Sequence, residues 1–332
     1  PLKEALAFHP HSRTSRWAPS TRYAYNNSGP AVAAYLVEKV TGLSFEDYIE
    51  RRFFRPLAMT QSGFFKTPDA VTGYTLSNQE SEYEHLLYRP PGALNSSMND
   101  MGTLLSFFLN RGKVAGQALL SPASLERMEK PSSSLASSSG LETGYGLGNY
   151  SSAHGAWVYR EHNGGLLGAM SEFAYLPQEG IGHAIVMNTK NIAAFQKLSN
   201  LIRDFETRHV TKPLAGEIGI EVTEAHRAIE GLYYPVNPRV QLFDFVNYIS
   251  GMKTFYFEGS TLIQSKAVGA SKNYYVPVTN DLYRSTETDL ISLAKVQDAK
   301  LGEVLHYAYD QASNKNYVLK RINPWFGYGQ IL

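Results

Sequence analysis

Two short segments carry residue types that can act together in a reaction. Arg22-Tyr23-Ala24-Tyr25-Asn26-Asn27-Ser28-Gly29 places a phenol two residues before an amide, just ahead of a helical pattern. A phenol near a cation can lose its proton and act as a base, and an amide can hold a substrate carbonyl. On a tight turn Tyr25 and Asn27 could aim both groups into one cleft, although tyrosine also packs and asparagine also serves turns. The second segment is Glu161-His162-Asn163-Gly164-Gly165-Leu166-Leu167-Gly168, at the edge of a strand-rich region. Its glycines would let a ligand backbone approach and would free N–H groups for an oxyanion. His162 could donate to a carboxylate or orient the base, titrating near neutral pH. The same His-Asn-Gly-Gly run also reads as an ordinary turn.

The elements that must position these groups follow from periodicity. Val32, Tyr35, Leu36 and Val40 fall at helical spacing from Gly29, with Gly42 at the C-terminal cap. Ser44 with Asp47 starts a second helix that ends before Pro56. A third starts near 97–99 and closes at Gly112, and Ser121-Pro122 opens a short fourth. Residues 1–22 are poorly periodic, and the serine-rich stretch 131–140 reads as a loop. Short strands are expected at 145–150, 157–160, 171–176 and 183–188, then a helix over 192–209. Pro213 and Gly216 mark a boundary, giving domains 1–212 and 213–332. Half of the tyrosines, 11 of 22, lie from Tyr233 onward in short runs broken by turn residues, which suggests a small antiparallel barrel or sandwich.

Composition narrows the function classes. The 332 residues carry 31 Lys+Arg against 30 Asp+Glu, a net charge of +1 without long like-charge runs, so nucleic acid is not an expected partner. No stretch reaches the roughly 18 apolar residues of a membrane-spanning helix. Zero cysteines exclude disulfides, thiolate zinc sites and a cysteine nucleophile. His9-Pro10-His11 has no nearby carboxylate cluster, so a metal is not expected, and with no Walker-type or dinucleotide glycine pattern no cofactor is expected either. The chain opens at Pro1 and closes on the aromatic run 323–328, and both ends look cut from something longer.

Taken in order, the segments resemble the β-lactamase-related serine hydrolases, the superfamily of class C β-lactamases, DD-peptidases, D-aminopeptidases and certain esterases. The matching text runs from Ser20-Thr21-Arg22-Tyr23-Ala24-Tyr25-Asn26-Asn27-Ser28-Gly29 through Val37-Glu38-Lys39-Val40-Thr41-Gly42 and Phe54-Arg55-Pro56-Leu57-Ala58-Met59-Thr60. It continues with Pro91-Gly92-Ala93-Leu94-Asn95-Ser96-Ser97, Tyr145-Gly146-Leu147-Gly148, His162-Asn163-Gly164-Gly165 and Ala174-Tyr175-Leu176-Pro177. The resemblance covers about residues 15–210. It implies an α+β, β-lactamase/transpeptidase-like fold with a helical region and an antiparallel sheet. From about 230 the chain resembles the lipocalin-like β module appended to some members, and 321–326 is weakly similar to sequence before membrane helices in long members.

The family builds its site from Ser-x-x-Lys, Tyr-x-Asn and Lys-Thr-Gly or His-x-Gly. The resemblance assigns catalytic roles to Tyr25 and His162, and substrate contacts to Asn27, Asn163, Gly164 and Gly165, with Gly165 N–H on the oxyanion. No nucleophile matches: none of Ser12, Ser15 and Ser20 has a Lys three residues on, and Ser250-Gly251-Met252-Lys253 is read as chance. The chain is therefore expected to be a C-terminal part, incomplete at its N-terminus and inactive alone. A missing segment or a partner chain would cover its apolar faces and strand edge. The expected activity is acyl transfer on the amide or ester of a small molecule or peptide, in an exported or cell-envelope protein. The alternative is a non-catalytic relative that binds a peptide or cell-wall fragment.

Overall fold

The computed structural model describes residues 2–8, 10–213, 219–237, 244–266, 271–308 and 316–322. His9, Gly216, the punctuating segment 310–314 and the tail 323–332 lie outside the described residues. The chain forms two compact units that interleave in sequence. One comprises Pro1–Arg16, Asn26–Glu129 and Tyr159–Thr211; the other comprises Trp17–Tyr25, Lys130–Val158 and Lys212–Leu332. A single cut near 212 therefore does not separate them, because two earlier segments belong with the C-terminal part.

In the first unit, capping chemistry sets the helix ends. Ser28–Thr41 stops at Gly42, whose φ of 71° lets its N–H reach the Glu38 carbonyl. Ser44 Oγ accepts from Asp47 N at 3.1 Å to open Phe45–Ile49, which runs on through one wide turn at Glu50–Phe54. Ser97 Oγ accepts from Asp100 N at 3.2 Å to open Met98–Leu109. Pro122–Glu129 follows the expected proline start. The poorly periodic N-terminus is helical at Leu2–Phe8, because Leu2 and Leu6 bury together against Ala31 and Ala34.

Three antiparallel strands, Trp157–Leu166, Ala169–Leu176 and Ile181–Met187, form the sheet of this unit, which the first of them enters at Tyr159. The register is continuous, with Gly164 opposite Ser171 and Phe173 opposite Ala184. Alternation sends His162, Phe173 and Tyr175 to one face and Glu161, Glu172 and His183 to the other. The first face meets Met98–Leu109, where Phe108 lies 5.3 Å from Phe173 and 5.4 Å from Tyr175. The second meets helix Ile192–Thr207 through its buried Phe195, Ser199 and Arg203. That helix leaves Leu198, Leu201 and Phe205 exposed.

The second unit is built on a closed antiparallel barrel. Its strands run in the order Lys253–Glu258, Thr261–Lys266, Lys272–Pro277, Leu282–Ser285, Ile291–Asp298, Gly302–Ala308, Asn316–Arg321 and Gly231–Pro235, the last pairing with the first. Closure removes the exposed strand edges that an open sheet would leave. Period-two alternation places Tyr233, Phe255, Tyr275, Tyr283 and Tyr307 in one core cluster, each no more than 2% exposed. The tyrosine-rich run is thus barrel core. Small residues on the other face, Ala294, Val296, Val304 and Val318, pack with Ala136 and Leu141.

Two local expectations in this unit are corrected. The serine-rich stretch contains a helix, Leu135–Ser139, because Ser134 Oγ accepts from Ser137 N at 3.2 Å and Gly140 ends it with φ of 113°. The strand expected at 145–150 is shifted to Tyr150–His154, and Tyr145 makes only an isolated bridge to Tyr150.

Candidate active site

The His-Asn-Gly-Gly run is strand, not turn. Residues 162–165 continue Trp157–Leu166, paired throughout with Ala169–Leu176, and the chain reverses only at 167–168. His162 is half-buried, with Nδ1 2.7 Å from the Asn163 carbonyl oxygen. A carbonyl can only accept, so Nδ1 carries the hydrogen and, in the neutral ring, Nε2 carries the lone pair. Burial pushes the pKa below the ordinary imidazole value, against the pull of that carbonyl. Burial thus favours the uncharged ring, in which Nδ1 is the donor and Nε2 the acceptor.

The two glycines differ in what they leave open. A Cβ on Gly164 would lie 2.5 Å from Ser171 Oγ, its cross-strand partner. On exposed Gly165 it would meet nothing within 4 Å. The chain's own packing thus does not require Gly165, and the space beside it is open for a ligand to approach the backbone. Asn163 shares the opposite face with Glu161, so it meets His162 through its backbone carbonyl and not its amide. Leu167 N donates to Glu84 Oε2 at 3.1 Å, which ties the reversal to the preceding loop.

Asn27 belongs to the same unit as His162. It stands at the N-terminus of helix Ser28–Thr41 without a side-chain cap bond; its neighbour Asn26 supplies that bond, Oδ1 accepting from Gly29 N at 2.8 Å. The exposed Asn27 amide is left uncommitted to the helix. Tyr25 belongs to the other unit, half-buried in an irregular segment. Its ring meets the edge of Tyr145 at 6.1 Å, and Tyr145 stacks on Tyr150 at 5.9 Å. Burial, then the neighbouring Tyr25, push the Tyr145 phenol well up, so Tyr145 stays protonated.

Behind the His162 strand lies a buried polar network that sequence reasoning missed. Glu161 pairs with Arg203, which also reaches Glu172 at 3.2 Å. Glu172 accepts from Ser199 Oγ at 2.7 Å and from His183 Nε2 at 2.9 Å. His183 Nδ1 lies 3.0 Å from Glu206, which also accepts from Tyr159 at 2.9 Å. Burial opposes ionisation of Glu172, but His183, Arg203 and Ser199 outweigh it and hold its pKa at about 2. Burial lowers His183 too, but its two carboxylate partners raise it overall above the ordinary value. A usable signal existed in the sequence: charged residues at 161 and 172 fall at core-facing strand positions, and Ser199, Arg203 and Glu206 recur on one helix face.

The Beta-lactamase family model matches residues 10–206, more than half of the sequence. The chain belongs to the beta-lactamase family. It is 31% identical over 135 residues to PbpX of Bacillus subtilis (strain 168), which carries a penicillin-binding-protein name, with 38% of this chain and 31% of that protein covered. It is 32% identical over 80 residues to a protein named beta-lactamase from Escherichia coli (strain K12), covering 24% of this chain and 20% of that protein. The chain thus spans less than a third of the curated relatives it matches. The octameric penicillin-binding protein homologue from Pyrococcus abyssi superposes with a TM-score of 0.50 at 19% identity, over 96% of this chain and 69% of that one. At that identity the likeness concerns fold alone.

In this beta-lactamase-family chain, Ser250 and Lys253 do not form a nucleophile pair at a helix start. Ser250 lies at the end of helix Asp244–Gly251, donating to the Val246 carbonyl at 2.7 Å, while Lys253 is buried in a barrel strand. Among the described residues no cluster of three or more His, Asp or Glu is placed to hold a metal ion.

Proposed function

We propose that this protein takes part in serine-dependent acyl transfer on an amide or ester, with its Ser-x-x-Lys supplied by a further segment or a partner chain. The observation that carries the reading is the His162–Gly165 strand: an imidazole whose Nδ1 donates to the Asn163 carbonyl, followed by a glycine whose side-chain space is empty. In this reading Gly165 N–H stabilises the oxyanion and Asn27 orients the acyl group. Tyr25 relays the proton of the attacking hydroxyl, and His162 accepts a hydrogen bond from the substrate or its leaving group. Gly164 and the Asn163 backbone complete the strand wall. The substrate is a small molecule or peptide, encountered in the cell envelope.

The test uses Tyr25→Phe in a preparation that turns over a reporter ester or a penicillin. The expected result is a fall in kcat far exceeding any rise in KM, since the phenol would act on the reacting proton. An unchanged kcat removes the role of Tyr25. Retained ligand binding without covalent labelling by a penicillin or a fluorophosphonate would replace acyl transfer with a non-catalytic binding function.

A further inference from the structure

We infer that the barrel acts as the mount for the Tyr25 segment, with Asp298 and Asn237 as its positioning residues. This rests on the role of Tyr25 proposed above. Residues 17–25 form neither helix nor strand, and Ser20 among them has a positive φ of 61°. Such a segment cannot hold a phenol in place through its own backbone ladder, so its order must come from outside.

The barrel supplies that order at two points. Arg22 donates to Asp298 Oδ2 from Nε at 2.9 Å and from Nη2 at 2.7 Å, with both side chains nearly buried. Asp298 is itself fixed, because its other oxygen accepts from Lys300 N at 2.8 Å and Leu301 N at 3.0 Å in the hairpin turn. Asn237 bridges the segment to a strand: its amide donates to the Tyr23 carbonyl at 2.9 Å and its Oδ1 accepts from Val318 N at 2.8 Å. A third tie, from Leu135 N to the Thr21 carbonyl at 3.2 Å, joins the segment to the helix packed on the barrel's outer face. The core cluster of the barrel consists of large side chains, which suits a rigid support.

The anchors lie two and three residues before Tyr25, so a displacement at either reaches the phenol within one short extended stretch. Displacements of about 1 Å at a reacting group can cost roughly 10²-fold in rate. Holding the segment by one side-chain pair and one backbone bond fixes its direction as well as its location.

The first experiment is amide hydrogen exchange on the 332-residue chain carrying Asn237→Ala or Asp298→Asn. The expected result is faster exchange across 21–25 with protection in 291–298 and 302–308 unchanged. Unchanged exchange at 21–25 in both variants overturns the mount. The second compares kinetics in a preparation where Tyr25→Phe lowers kcat. There Asn237→Ala should lower kcat about tenfold or more while KM stays within about twofold, and Asn237→Gln should recover part of the loss. Faster exchange with an undiminished kcat overturns the positioning role and leaves Tyr25 in place. If Tyr25→Phe itself leaves kcat unchanged, the catalytic reading falls while the exchange result still reports on the anchor.

Discussion

Two buried histidines, one in each unit, are driven to opposite charge states. His183 in the first unit lies between Glu172 and Glu206, and these partners overcome burial to keep it charged. His306 in the barrel unit is 3% exposed, and burial followed by the Arg22 charge pushes its pKa down to about 4. Its Nε2 has no hydrogen-bond partner among the described residues. Asp298 is near, but it already accepts from Arg22 and from two backbone N–H groups. The difference shows that a buried imidazole is charged only where the local carboxylates outnumber the permanent cations competing for them. Behind the His162 strand three glutamates face one arginine; around Arg22 one aspartate faces one arginine.

The largest expected effect comes from removing the arginine on the carboxylate-rich side. Arg203→Ala leaves Glu161 and Glu172 buried and short of a cation, and should cost about 3–5 kcal/mol of unfolding free energy in urea. Arg22→Ala should cost less, since Asp298 keeps its two backbone donors. It should also raise the His306 pKa, read by proton NMR; an unmoved His306 titration would break the comparison.

Next come the two pH limbs. The folded pKa of His306 lies near 4 against 6.5 for the free side chain, so its contribution is full above about pH 6.5. That contribution, on the order of 3 kcal/mol, is lost as pH falls toward 4. His183 runs the other way: its contribution is full below about pH 6.5 and disappears as pH rises through its raised pKa. Urea titrations across pH should show His306→Gln flattening the acid limb and His183→Gln the alkaline limb. Both variants flattening the same limb would defeat the contrast.

Smaller effects sharpen the picture. Ser199→Ala removes one bond to ionised Glu172 and should cost about 2 kcal/mol, against near neutrality if that carboxylate were protonated. Gly165→Ala should change stability by only about 0.5 kcal/mol, since its Cβ would meet open space, yet lower kcat/KM by filling the ligand's approach. A destabilised Gly165→Ala variant would make that glycine a packing residue.

Much of the fold was legible because the signals were local. Ser44, Ser97 and Gly42 cap the helices they were expected to cap, and alternation around Tyr233, Phe255 and Tyr275 declared a barrel-like core. The same locality explains the misses. Six serines in ten residues spelled a loop because cap donors and loop formers are the same residue types, and Ser134 chose the cap. His-Asn-Gly-Gly spelled a turn because glycine weakens a strand, yet seven paired positions with Ala169–Leu176 override that preference. Asn27 and Gly165 were legible as positions, while only contacts showed that the one is uncommitted to its helix and the other faces open space.

The sequence by itself determined the capped helices, the tyrosine-rich β character of the C-terminal part and the ordered motifs that place the chain in the beta-lactamase family. Those depend on spacing and side-chain shape within short windows, which the chain carries wherever it folds. Only the tertiary structure decided the electrostatics. Arg22 meets Asp298 across 276 positions, and Glu161 meets Arg203 across 42. Whether a histidine is charged, a carboxylate buried or a tyrosine segment anchored depends on which charges those long closures bring within a few ångströms, and on how little water is left to screen them.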